Sequence, residues 1–225
     1  MRWGRSSSLS RCNGEADAKL QDLRYAVVDV ETTGAGANAN RVIEVAVVPV
    51  VQGTIGDVHH WLVNPGRPIP PPITRLTGIS SAMVRSAPRF GQVAGAVRRV
   101  LGGRLFVAHN AGFDWNFLQA EFARVGGPLM VGHRLCTVRL ARALLPRLRR
   151  HSLDHISGYL GIENPARHRA WGDALATARV LVQLIEMAQS RGLTTLHSLS
   201  EYTAKRRPRR LRRALPAAAE WEEAP

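Results

Sequence analysis

Cysteine is scarce in this chain. Its 225 residues hold two, Cys12 and Cys136. They form neither a CxxC motif nor a disulfide ladder, so the sequence reads as one for a reducing, intracellular setting. Lysine is scarcer still in context, because Lys19 is the only one before the C-terminal basic block and arginine carries the positive charge. No apolar run approaches the ~20 residues needed to cross a bilayer. Met1 to Ser10 is basic and serine-rich without the apolar core of a secretory signal. These absences lead to the expectation of a cytoplasmic protein with no membrane partner.

What is present is a globular composition, 45% hydrophobic, with a formal net charge of +14. Residues 205–225 hold seven Lys/Arg and three Glu, a net +4, so the rest of the chain still carries +10. A body this basic favours a polyanion, and nucleic acid is the first candidate. The length suits one core, and no polymerase domain is expected within it. Three segments are expected: a flexible leader over 1–22, a folded domain over 23–192, and a basic, disordered tail over 193–225.

Hydrophobic patterning gives the order of elements. Strands are expected near 24–30 and 41–50, and a third over 55–63, joined by short turns that favour an antiparallel meander. Pro68-Ile69-Pro70-Pro71-Pro72 reads as extended. A short helical turn follows, stopped by Gly78, then a helix from Pro88 to Leu101. Leu105 to Ala108 is a buried strand, followed by a helix through Arg124. A strand over 135–138 and helices around 138–145 and 152–160 come next, the last with Ser152 as N-cap. A long helix begins near Trp171, with Leu175, Ala178, Val182 and Ile185 at helical spacing. The pattern is α/β, with a sheet of mixed direction flanked by helices.

Two acids stand one residue apart at the end of the first strand, in Val27-Val28-Asp29-Val30-Glu31. Alternate residues of a strand share a face, so Asp29 and Glu31 project together. Carboxylates that close repel, and a hard divalent cation is the usual remedy. Asp114 opens the helix after the strand at 105–108, and Asp173 opens the long helix, with His168 five residues earlier. Taken singly, Asp114 and Asp173 read as first-turn helix acids, and His168 as a surface histidine.

Taken together, Asp29-Val30-Glu31-Thr32-Thr33-Gly34, Asn110-Ala111-Gly112-Phe113-Asp114 and His168-Arg169-Ala170-Trp171-Gly172-Asp173-Ala174 resemble, in order, the three motifs of the DEDDh exonuclease family. The similarity is greatest to its DnaQ-like branch, typified by the epsilon proofreading subunit of bacterial replicative polymerases, and covers about residues 24–190. The resemblance implies a ribonuclease H-like fold, with three antiparallel strands and then parallel ones. It also implies metal-dependent 3′–5′ hydrolysis of phosphodiester bonds at DNA 3′ ends, in proofreading or repair. Asp29, Glu31, Asp114 and Asp173 would hold two divalent cations, Mg²⁺ or Mn²⁺, that clamp the attacking and leaving oxygens. His168 would be the general base, a role suited to a side chain that titrates near neutrality. Thr32 would lie near the terminal nucleotide, Asn110 would support it, and Thr77 stands where the epsilon branch often has a histidine that grips the terminal base. Trp171 replaces a smaller apolar residue common in the third motif.

Single-stranded or frayed DNA 3′ ends are the expected substrate, with a DNA polymerase as a possible partner. The same motifs serve exoribonucleases that trim RNA ends. A non-catalytic nucleic-acid-binding subunit is the remaining alternative, although one that had lost an acid would be expected. Lys205 to Arg213 is expected to act as a sequence-independent clamp on phosphates or as a solvated end.

Overall fold

Strand β1 (Arg24–Thr32) is the axis of the fold, because its apolar residues are buried on both faces of one sheet. The computed structural model describes residues 17–206. Beside β1 run β2 (Val42–Val51), β3 (Thr54–Ile55), β4 (His59–Leu62), β5 (Leu105–Ala108) and β6 (Arg134–Cys136). The sheet has six strands in the order β3-β2-β1-β5-β6, with β4 also paired to β2. The β1–β2, β2–β3 and β2–β4 pairs are antiparallel, whereas β1–β5 and β5–β6 are parallel. This is the ribonuclease H-like mixed sheet expected from the sequence.

Helices cover both faces. They are α1 (Pro71–Thr77), α2 (Ser81–Val84), α3 (Phe90–Leu101), α4 (Gly112–Arg124), α5 (Thr137–Leu144), α6 (Leu153–Tyr159), α7 (Ala170–Gln189) and α8 (Leu196–Lys205). Strand alternation divides the core. Tyr25 and Val27 pack with Leu140, Leu144, Ala178 and Leu181 of α5 and α7. Ala26, Val28 and Val30 pack on the other side with Val93, Phe117 and Phe122 of α3 and α4. Burying each Val or Leu contributes roughly 1.5–3 kcal/mol, so α7 is held to β1 by apolar area along most of its length. No helix among the described residues is long and apolar enough to cross a membrane.

Several local expectations change. The third strand is two pieces, β3 and β4, interrupted at residues 56–58, although both pair with β2. Pro71 and Pro72 do not extend the loop. They open α1 at its first two positions, where a missing N–H costs nothing. Helix α2 was not anticipated. Four residues are too few to show a period, and its N-cap Ser80 accepts a hydrogen bond from Met83 N. The strand over 135–138 ends at Cys136, since Thr137 already begins α5. Ser152 precedes α6 but makes no side-chain cap, its hydroxyl pairing with His155 Nδ1 at 2.7 Å.

Both expected segment boundaries also move. Leu20 is buried, and Leu20 N donates to Thr194 O at 2.8 Å, so the fold begins before residue 23. Helix α8 lies beyond the expected end at 192, and its Leu196 and Leu199 are buried in the same core as α5 and α7. Thr195 and Ser198 cap it reciprocally. Residues 1–16 of the expected leader, and 207–225 of the expected tail with most of its basic block, lie outside the described residues.

Candidate active site

The parity that divides the core also builds the site. Asp29 and Glu31 continue the face of Tyr25 and Val27, which α7 covers. Asp173 sits in the first turn of α7 at the same end. One carboxylate oxygen from each of Asp29, Glu31 and Asp173 lies within 4.8 Å of the others. Asp114 is 2% exposed and approaches from α4, where its Oδ1 accepts from Val30 N at 3.1 Å. It stands outside the three-acid cluster, yet it is the first of the neighbouring charges that bear on Asp29.

The electrostatics are those of crowded acids. Burial, then repulsion from Asp114, Asp173, Glu31 and Glu44, drives Asp29 well above the usual carboxylate range. Burial pushes Glu31 up to about 8, with Asp173, Glu44 and Asp114 adding to it and Arg169 opposing. Burial also raises Asp114, against hydrogen bonds from its own N–H and that of Val30. Asp173 is raised by burial too, opposed first by the Asn164 amide and then by the His168 N–H. Oxygen donors that resist ionisation together are a fitting donor set for hard divalent cations, whose charge would replace those protons.

His168 is exposed and has φ 57°, a left-handed conformation uncommon for a residue with a side chain. Its backbone N donates to Asp173 Oδ2 at 3.1 Å, which fixes the loop to the start of α7. Asn164 Nδ2 holds the other Asp173 oxygen. Gly172 permits this closeness, because a Cβ there would overlap the Ala166 carbonyl. Asn110 also has positive φ, at 72°, and is exposed where β5 turns into α4.

Two candidates fall away from the surface. Thr32 is 6% exposed, and its hydroxyl donates to Gly34 O at 2.8 Å, so it shapes the loop after β1. Thr77 is 4% exposed, and its hydroxyl donates to Ile73 O and accepts from Ile79 N. It finishes α1 and offers no free surface for a nucleotide.

One important residue escaped the sequence reading. Glu44 faces Glu31 across the β1–β2 pair and is fully buried. It grips the Arg169 guanidinium at 2.8 and 3.1 Å and accepts from Ala170 N at 2.8 Å. The residue after His168 is thereby locked to the sheet. A lone acid in the apolar run Val42-Ile43-Glu44-Val45-Ala46 was the available signal. The register slips just beyond this pair, with Thr32 opposite Val42, a bulge of the kind that re-aims side chains beside sites. A second buried acid, Glu121, does similar work farther out, gripping Arg41 at 2.7 and 2.9 Å and accepting from Val42 N.

Comparison with known proteins gives the family. The RNase_T family, described as Exonuclease, matches residues 26–181. A DNA polymerase III subunit epsilon-like protein of Rhodobacter capsulatus is 38% identical over 189 residues, covering 80% of this chain and 26% of that protein. A PolC-type DNA polymerase III of Halalkalibacterium halodurans is 36% identical over 179 residues, covering 80% of this chain and 12% of the relative. The chain thus spans about a quarter or less of these two relatives. Among solved structures, an exonuclease X in complex with 5′ overhanging duplex DNA aligns with TM-score 0.61 and 31% identity, over 80% of this chain and 99% of its own. Escherichia coli exonuclease I bound to a dT13 oligonucleotide shares the fold, with TM-score 0.68 at 18% identity, over 76% of this chain and 42% of its own. The chain belongs to the RNase_T exonuclease family and carries a DnaQ-like exonuclease domain.

Proposed function

We propose that the protein is a 3′–5′ exonuclease that removes nucleotides from DNA 3′ ends in proofreading or repair. The observation that carries this reading is the convergence of Asp29, Glu31 and Asp173 oxygens within 4.8 Å, with Asp114 bound to Val30 N between the two strand acids and the His168 N–H bound to Asp173. In hydrolysis the water oxygen bonds to phosphorus, the P–O3′ bond breaks, and a nucleoside 5′-monophosphate leaves. Bound Mg²⁺ or Mn²⁺, held by Asp29, Glu31, Asp114 and Asp173, would neutralise the charge that develops on the phosphate and polarise it. His168 takes the proton from the attacking water. Asn164 and the His168 N–H keep the Asp173 carboxylate turned into the site. Glu44, through Arg169, keeps the His168 loop at the strand end. Asn110, exposed at the start of α4, supports the terminal nucleotide.

The polymerase III names of the relatives support a polymerase as partner, and the DNA in the exonuclease X structure supports DNA as substrate. The test is a digestion panel of 5′-labelled and 3′-labelled single-stranded DNA, duplex DNA with matched or mispaired ends, and RNA, each with Mg²⁺, Mn²⁺ or EDTA. A ladder shortening from the 3′ end of DNA, absent in EDTA, is expected. Full activity in excess chelator, or digestion of RNA alone, would overturn it.

A further inference from the structure

A groove of about 1010 Å³ opens at the start of α4, the helix that carries Asp114, and none of the four acids lines it. Asn110 and Gly112 form one end of it. Arg134, Arg139, Arg142 and Arg206 are the charged residues of its lining, and no other acid lines it. All four arginines are exposed, and among the described residues none forms an ion pair. Like charges gathered in one groove repel, so their arrangement suits an anion that enters from solvent. The other cavities differ in chemistry. One of about 380 Å³ contains Asp22 and Glu186 and adjoins Tyr25, at the opposite end of β1 from Glu31. Another, of about 550 Å³, is lined by uncharged residues between Gly36 and Leu129.

We propose that this groove holds the sugar–phosphate backbone of the single nucleic-acid strand on the 5′ side of the terminal nucleotide. The proposal rests on the nuclease reading for its polarity and adds where the rest of the strand runs. Arg139 and Arg142 lie one turn apart on α5, so their side chains stand roughly 5–6 Å apart at the base and can meet neighbouring phosphates. Two other guanidinium groups are held in place by aromatic rings. Arg206 lies 4.2 Å from the Tyr202 ring centroid and donates to that residue's hydroxyl at 2.6 Å. Arg134 lies 5.5 Å from the Trp115 centroid. Such guanidinium groups lose less freedom when they bind phosphate. Arg206 caps the C-terminus of α8, whose Leu196 and Leu199 are buried in the same core as α5, so the two helices that carry three of the four arginines are fixed to one another.

The test uses the full chain with Asp29→Ala, in EDTA, so that binding is read without hydrolysis. Anisotropy would measure single-stranded DNA of three and of twelve nucleotides across a salt series. Arg139→Ala with Arg142→Ala is compared with a control pair of equal charge change, Arg24→Ala with Arg99→Ala, which are exposed and outside the groove. The groove pair should weaken binding of the longer strand about tenfold and reduce the salt slope by about 1.4, at about 0.7 per phosphate contact. It should also erase most of the affinity that the longer strand gains over the shorter one. Equal slopes for the groove pair and the control pair would overturn the groove, leaving only diffuse positive charge. Failure of the nuclease reading looks different: unmutated protein would leave DNA uncut with Mg²⁺ or Mn²⁺, whatever the binding data show.

Discussion

Residues at this site act through the company they keep. Asp29 is the acid most surrounded by other acids, and it is the one whose loss should matter most. Asp29→Asn should lower hydrolysis by about three orders of magnitude or more, since charge neutralisation at phosphate is worth several kcal/mol and each 1.36 kcal/mol is tenfold. The check is single-turnover digestion beside circular dichroism, and wild-type rates would misplace the site. His168→Ala should slow chemistry by about 10²–10⁴-fold with little loss of binding, read as a fall in kcat at a nearly unchanged Kd for single-stranded DNA. Glu44 illustrates a different dependence. It contacts no substrate in the proposed chemistry, yet Glu44→Gln breaks a bidentate pair and leaves Arg169 facing a neutral amide. A stability loss of about 2–3 kcal/mol is expected, together with reduced kcat, because the His168 loop is no longer fixed. Calorimetry and kinetics on the same preparation would check both, and a variant matching wild type in both would show the pair to be idle.

Elements explain which of these features the sequence displayed. Strands β1, β2 and β5 were legible because buried strands are continuous apolar runs, and α7 because its apolar spacing persists over 20 residues. The acids at 29, 31, 114 and 173 stood out because Asp29 and Glu31 interrupt the apolar run of β1 and Asp114 and Asp173 lie in the first turns of α4 and α7. Short elements were not: α2 has four residues and β3 has two, too few to show a period. The end of the domain was misplaced because α8 is half polar, and burial of Leu196 and Leu199 depends on α5 and α7, which no local window contains. Thr77 was misjudged for the same reason, since only the chain's path reveals that Ile73 and Ile79 use its hydroxyl. The join between the His168 loop and α7 is likewise a matter of close approach. Gly172→Ala should push the loop off the helix through the Ala166 carbonyl, costing about 1–3 kcal/mol as overpacking does. Activity should fall further than stability alone predicts, because His168 and Asn164 both move. Digestion measured well below the melting temperature separates the two effects, and full activity there would show the close approach to be dispensable.

At the scale of the whole molecule, the acid cluster couples stability to pH and to metal. Asp29, Glu31, Asp114 and Asp173 hold protons more tightly in the folded chain than in the unfolded one. Unfolded carboxylates titrate near about 4, and Glu31 is pushed up to about 8. Between those limits the folded state binds more protons, so the acids' contribution is fully present at the low end and is lost as pH rises. His109 acts in the opposite sense. Burial pushes it down to about 4, so its contribution grows as pH rises from about 4 towards the ordinary histidine range near about 6.5. The two trends oppose each other below about 6.5, and from there to about 8 the acids act without that offset. Metal-free protein should therefore lose melting temperature between pH 6.8 and 8, by at least ~3 °C. Asp29→Asn, with one acid fewer, should lose less and melt higher than wild type at pH 8. Mn²⁺ should raise the melting point of wild type at pH 8 through preferential binding to the folded state, and this gain should shrink as protons compete at lower pH. Thermal melts in EDTA and in Mn²⁺ across that range read all three trends without reference to nuclease activity. A flat metal-free profile, or an equal Mn²⁺ gain in Asp29→Asn, would show that these carboxylates do not form one cation site.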